Sequence, residues 1–244
     1  MAFCIPLKLL AQRKDGLELP ESKKGDVILR YEGFTVKYNT SRLIPDWVAY
    51  ELTAEETQGE VPRASGFSMD LNYKGKQAMR EDYSNSGWDK GHMAPAADMK
   101  WSHNAMRESF YLTNICPQDH NLNSGDWLTL EKLCRDWAVK FGSVYIVCGP
   151  VVYNNRFGKI GDQKVVVPDY FYKAVLAWDG KSYKSIAFVM ENTSAKQSVK
   201  SCAVSVNDVE ALVGFNLFAE LSDKIEESIE SQVNLPDWGL KNSR

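Results

Sequence analysis

Apolar positions along the chain follow two periods. Val27 to Arg30 and Phe34 to Tyr38 read as short paired strands on either side of a Glu32-Gly33 turn, and Trp47 to Leu52 continues the alternation. From Glu55 to Ser86 the chain is polar and glycine-dotted, which predicts a long surface loop of the kind that carries function. A short helix is predicted over Asn104 to Ser109, then a strand over Phe110 to Ile115. The strongest signal follows. Trp127, Leu130, Cys134, Trp137 and Phe141 recur at three- and four-residue steps, so Gly125 to Phe141 should be a helix with one buried stripe, stopped by Gly142.

Val144 to Cys148 reads as a buried strand, and Val165 to Val167, Tyr170 to Trp178 and Ser185 to Met190 as further strands of a sheet, the last two joined at an Asp179-Gly180 turn. Asn207 with Glu210 resembles a capping box opening a short helix, and a second, acidic helix is predicted from Ser222 to Ser231. Antiparallel strands with inserted helices define an α+β fold class. Without an internal repeat or a linker-like tract, residues 27–244 are expected to form one domain behind a polar segment, 1–26.

Composition narrows the classes. Of 244 residues, 44% are hydrophobic, enough for a sizeable core, and no run approaches the ~20 apolar residues of a membrane span. A net charge of −3 argues mildly against a nucleic-acid partner. That total is skewed, because Glu220 to Glu230 holds five acids and one base and describes no active face. The five cysteines, Cys4, Cys116, Cys134, Cys148 and Cys202, are widely spaced without a C-x-x-C, which favours buried thiols over a zinc ribbon or disulfide scaffold; one bridge is left open. Phe3 to Ala11 is apolar but interrupted by Pro6 and Lys8, and passes abruptly into Arg13-Lys14-Asp15. It is a poor signal peptide as it stands and compatible with the trimmed end of one.

Three histidines occur: His92, His103 and His120. His92 lies in Trp88-Asp89-Lys90-Gly91-His92-Met93-Ala94-Pro95, where an acid, a base, a glycine and an imidazole fall within four residues. Gly91 would permit a strained turn or the close approach of a ligand. Alone, His92 is more often a histidine hydrogen-bonded in a loop than a catalyst. Asn114, Asn121 and Asn123 flank a strand end and a helix start. Capping explains one such asparagine, and an amide oxygen also suits Mg²⁺ held mostly by water. Glu131 and Arg135 are four residues apart on the helix, which fits a surface ion pair or a carboxylate orienting metal-bound water beside a phosphate-binding arginine.

Asp89-Lys90-Gly91-His92 resembles the D-R-G-H signature of the DNA/RNA non-specific endonucleases, the ββα-metal nucleases that include endonuclease G. Asn114-Ile115-Cys116-Pro117-Gln118 with Leu122-Asn123-Ser124-Gly125-Asp126-Trp127 and Leu130-Glu131 resembles that family's second signature, and the likeness runs from about Val48 to Phe218. It implies a central, mainly antiparallel sheet flanked by helices, with His92 as general base and Asn123 as the direct ligand of one Mg²⁺, for which Mn²⁺ can substitute. Glu131 would hold a metal-bound water. Arg63, Lys90, Asn114 and Arg135 would bind substrate, and Asp89 would support the motif. Lys90 stands where the family usually has arginine, which keeps the charge and loses the bidentate fork.

The resemblance therefore implies an endonuclease with little sequence preference, leaving 5′-phosphates, with DNA and RNA as partners. Other partners consistent with it are a second copy in a homodimer and an inhibitor protein. An unrestrained nuclease would attack its own genome, so secretion or a periplasmic location is the preferred expectation. Two rivals stand beside this reading: a catalytically inactive nucleic-acid-binding module on the same fold, and a zinc hydrolase using Cys116, His120 and His92.

Overall fold

Period-two alternation requires a sheet with two covered faces, and the computed structural model shows one; it describes residues 16–240. In chain order the strands are β1 (Val27–Arg30), β2 (Thr35–Asn39), β3 (Ile44–Thr53), β4 (Asp89–His92), β5 (Ile115–Gln118), β6 (Ser143–Val151), β7 (Lys159–Ile160), β8 (Val165–Val166), β9 (Tyr170–Trp178), β10 (Tyr183–Glu191) and β11 (Ala203–Val204). The helices are α1 (His103–Ser109), α2 (Trp127–Phe141), α3 (Val206–Val213) and α4 (Asp223–Ile229). Seven strands form the main sheet in the order β1-β2-β3-β6-β9-β10-β11, every neighbour antiparallel. The α+β expectation holds.

Each central strand sends alternate residues to opposite cores. Val48, Tyr50 and Leu52 face the layer containing α2, whereas Trp47 and Ala49 face the layer containing α3. The stripe on α2 docks on the first face with Trp127, Leu130, Cys134 and Trp137 buried, Leu130 alone contributing about 1.5–3 kcal/mol of apolar burial. Gly142 ends the helix at φ +85°, a conformation that suits glycine.

Several boundaries differ from the sequence expectation. The strand expected over Phe110 to Ile115 begins only at Ile115, because Phe110 closes α1 and Leu112–Asn114 forms a 3₁₀ turn. Val165–Val166 leaves the main sheet and pairs with Lys159–Ile160. The cap of α3 is Ser205, reciprocated by Asp208, two residues before the expected Asn207/Glu210 pair; the Ser205 hydroxyl is short enough to meet the Asp208 amide. The segment 16–26, expected outside the domain, packs on it: Leu17 is buried in the second core and the Glu21 amide donates to the Asn216 carbonyl. The proposed signal remnant at 3–11 lies outside the described residues. No helix among the described residues is long and apolar enough to cross a membrane. Cys116, Cys134 and Cys148 are buried free thiols and Cys202 is a half-buried one.

Candidate active site

The two-residue-per-step geometry of a strand brings the two sequence signatures together. β4 and β5 pair antiparallel, with His92 opposite Ile115 and Asp89 opposite Gln118. Gly91 is needed for this pairing: a Cβ there would lie 2.6 Å from Gln118 Cβ, so the close neighbour is a side chain of the hairpin and not a ligand. The chain then enters α2 through a π turn at Leu122–Asp126, whose extra residue widens the helix entrance and carries Asn123.

Asp89 organises that entrance. Its Oδ2 accepts from Asn123 Nδ2 at 2.9 Å and lies 2.9 Å from His120 Nδ1. With its nitrogen held by Asp89, Asn123 can turn its amide oxygen to a ligand. The other two asparagines have different work. Asn114 is fully buried, accepting from the Ala94 amide and donating to the carbonyls of Ala94 and Ser109. It has no free amide atom for a phosphate, so its expected substrate-binding role is corrected: it clamps the strand end beyond His92. Asn121 donates to the Ser194 carbonyl at 3.5 Å.

His92 is buried against the rings of Phe67 and Phe110, at 5.2 and 4.9 Å between centroids. Its Nε2 is buried without a hydrogen-bond partner among the described residues. Burial, then the charge of Arg63, lowers its pKa to about 3 and keeps the ring neutral. Arg63 is exposed with its guanidinium 5.0 Å from the Phe110 ring centre, and its charge is felt by Glu131 as well. It therefore links His92 to the helix.

Glu131 is buried on α2, and burial raises its carboxyl to about 7 against the opposing charges of Lys173, Arg135 and Arg63. Arg135 turns to Asp98, with 2.6 Å between Nη1 and Oδ1; Asp98 is fully buried and also accepts from the Tyr50 hydroxyl. This buried pair replaces the i,i+4 surface pair that the spacing allowed. Lys90 is half-buried between Phe67 and Tyr83, with Nζ 5.7 and 5.4 Å from the ring centres, and burial followed by Arg80 lowers its pKa. Its ammonium is held as a point charge near the two ring faces, without the bidentate fork of an arginine.

Sequence reasoning missed Asp98 and Lys173. Nothing in spacing links Asp98 to an arginine 37 residues away. Lys173 did leave a signal: it is the one charge in the apolar strand Tyr170–Trp178. It is fully buried on the face toward α2, with Nζ 4.7 Å from the Trp127 ring centre and close to the Cys148 thiol. The zinc alternative is not supported by placement. Cys116 is in the core, His120 is on the surface, and no group of three His, Cys, Asp or Glu among the described residues could hold a metal. One amide oxygen with water around it instead fits a hard cation such as Mg²⁺.

A hairpin bearing the histidine, feeding through a widened turn into a helix bearing the glutamate, defines the class: the molecule has the ββα-metal nuclease fold. The chain matches the family described as DNA/RNA non-specific endonuclease over residues 17–224 and belongs to it. It is 34% identical over 208 residues to the human mitochondrial nuclease EXOG, a match covering 78% of this chain and 56% of that protein. It is 33% identical over 214 residues to nuclease C1 of Cunninghamella echinulata var. echinulata, covering 79% of this chain and 83% of that protein. A solved structure of the EndoG/EndoGI complex superposes with a TM-score of 0.77 at 26% identity, covering 82% of this chain and 89% of the other. The chain thus spans rather more than half the length of the EXOG nucleases it resembles.

Proposed function

We propose that the chain is a metal-dependent endonuclease that hydrolyses phosphodiester bonds of DNA and RNA with little sequence preference and leaves 5′-phosphates. The observation that carries the reading is the Asp89 clamp on Asn123, which frees one amide oxygen at the mouth of the ββα unit. Asn123 would hold Mg²⁺, or Mn²⁺ in its place, directly, and Glu131 would hold it through water. When bound, the ion supplies Lewis-acid stabilisation of charge on the phosphate and the leaving oxygen.

The protein groups do the rest. His92, neutral over the whole physiological range, accepts a proton from the attacking water. Arg63 offers an exposed guanidinium beside it, and Arg135, braced by Asp98, keeps a second guanidinium next to Glu131. Such contacts go to the phosphate backbone, so base sequence has little influence. The solved relative is described in a study of EndoG inhibition; by analogy an inhibitor protein is proposed as a partner.

The test is to incubate purified protein with plasmid and with total RNA, in Mg²⁺ and in EDTA. Both substrates should be cut in Mg²⁺ and spared in EDTA, and the product ends should accept a 5′ label only after phosphatase treatment. Equal cleavage in EDTA, or no cleavage in either Mg²⁺ or Mn²⁺, overturns the reading.

A further inference from the structure

The loop 152–158, between β6 and β7, has no part in the chemistry above, yet it is built rigidly. Asp169 is buried, and its two oxygens accept from four successive backbone amides, those of Tyr153, Asn154, Asn155 and Arg156, at 2.8–3.1 Å. The loop is also tied to the active site from two sides. Phe157 meets the edge of Trp88 at 5.0 Å between centroids, and Trp88 directly precedes Asp89. Asn192, whose amide donates to the Asp169 carbonyl, accepts from the Asp119 amide and donates to the Pro117 carbonyl, just ahead of Asn123.

This rigid loop displays an aromatic ring beside a cation. Tyr153 is 71% exposed, so most of its ring is open to a ligand. Three residues on, the Arg156 guanidinium lies 4.4 Å from the centre of the Phe157 ring. Arg156 also pairs with Glu191 at 2.7 Å, but both side chains are over a third exposed, and an exposed pair of this kind holds weakly enough for a phosphate to displace it. An aromatic face and a cation on a pre-ordered loop suit one nucleotide of an unpaired strand: the base stacks, the phosphate is neutralised, and little ordering cost is left.

Resting on the nuclease reading, we propose that loop 152–158 is a preformed platform for a single-stranded flank of the nucleic acid, with a base on Tyr153 and a phosphate on Arg156. Stacking explains an aromatic that a duplex, its bases already stacked, would leave unused.

The experiment measures binding in EDTA, by fluorescence anisotropy, of a labelled oligothymidylate and of an abasic strand of equal length. The parent should prefer the oligothymidylate. Tyr153→Ala should weaken that binding roughly ten- to a hundredfold and erase the preference, while Tyr153→Phe keeps it. Arg156→Gln should weaken both strands and make the salt dependence shallower by about one phosphate contact. A Tyr153→Ala protein that binds both strands like the parent overturns the platform, as does a parent that binds neither strand. Plasmid nicking by the parent in Mg²⁺ separates the two claims. Nicking without a Tyr153 effect removes the platform alone, and a Tyr153-dependent preference without nicking leaves the platform and removes the nuclease reading.

Discussion

A neutral histidine is the residue on which the proposed chemistry turns. His92→Ala should cost about 10²–10⁴-fold in turnover with the fold retained, measured by plasmid nicking and circular dichroism; a folded variant with parental turnover removes the assignment. The same burial has a stability consequence. In the unfolded chain this imidazole protonates near pH 6.5, but in the fold it resists until about pH 3. The unfolded state therefore binds more protons in that window, and stability should fall as pH drops from about 6.5 towards 3. His92→Gln should flatten that part of a Tm–pH curve. Lys173 makes the complementary case of a charge held inside. Its ammonium rests over Trp127, one helical turn from Glu131 on the same face of α2. Lys173→Met leaves the buried carboxyls of Glu131 and Asp98 without the cation that faces them, so Tm should fall. The Mg²⁺ midpoint of activity should also move upward, because Glu131 loses its strongest attracting charge. A lower Tm with an unchanged midpoint would make Lys173 a packing residue only.

Among the elements, the hairpin β4–β5 and the π turn before α2 act as one device. Asp89 on the hairpin reaches Asn123 in the turn, so a change in either should show in the metal dependence more than in the fold. Asn123→Ala and Asp89→Ala are both expected to raise the Mg²⁺ midpoint, the first more strongly, in a titration of activity against Mg²⁺. Unchanged midpoints in both would take the metal away from this turn. On the far face, Glu230 follows α4 and is buried near Glu210 and Glu226, with burial and then those two charges raising its carboxyl to about 8. A raised carboxyl stabilises the fold below its unfolded value near 4.5 and loses that contribution as pH rises through 8. Glu230→Gln should therefore lessen the drop in Tm between pH 5 and pH 9, and a parental drop in the variant would show that Glu230 is not the cause.

For the whole molecule, the arrangement in layers reconciles an acidic chain with the polyanionic substrate proposed above. The acidic helix α4 and α3 pack on one face of the sheet, while α2, β4 and β5 are on the other. The main sheet therefore lies between Asp223 and Glu227 on one side and the proposed site on the other. At physiological salt the Debye length is about 8 Å, so these exposed acids should hardly touch catalysis. A double Asp223→Asn, Glu227→Gln variant should nick plasmid within about twofold of the parent at physiological salt. A larger gain would mean that the acidic face restrains substrate approach.

Local sequence determined a good deal. The three- and four-residue recurrence from Trp127 to Phe141 forced one buried stripe, and Asp179-Gly180 made the β9–β10 turn, with Gly180 at φ +93°. The residues alone left His92, Asn123 and Glu131 beside blander readings, and it was the likeness to two short signatures, each readable along the chain, that singled them out as candidates. Tertiary structure decided everything that joins distant segments. It spent Asn114 on Ala94, gave Arg135 to Asp98, held Lys90 near two rings and put Lys173 beneath the helix. It also moved Val165 out of the sheet and folded Leu17 into the core. Periodicity reports which face of an element is buried, but the partner across that face is set by how layers pack, and a polar side chain takes whichever group the packing brings within hydrogen-bond reach.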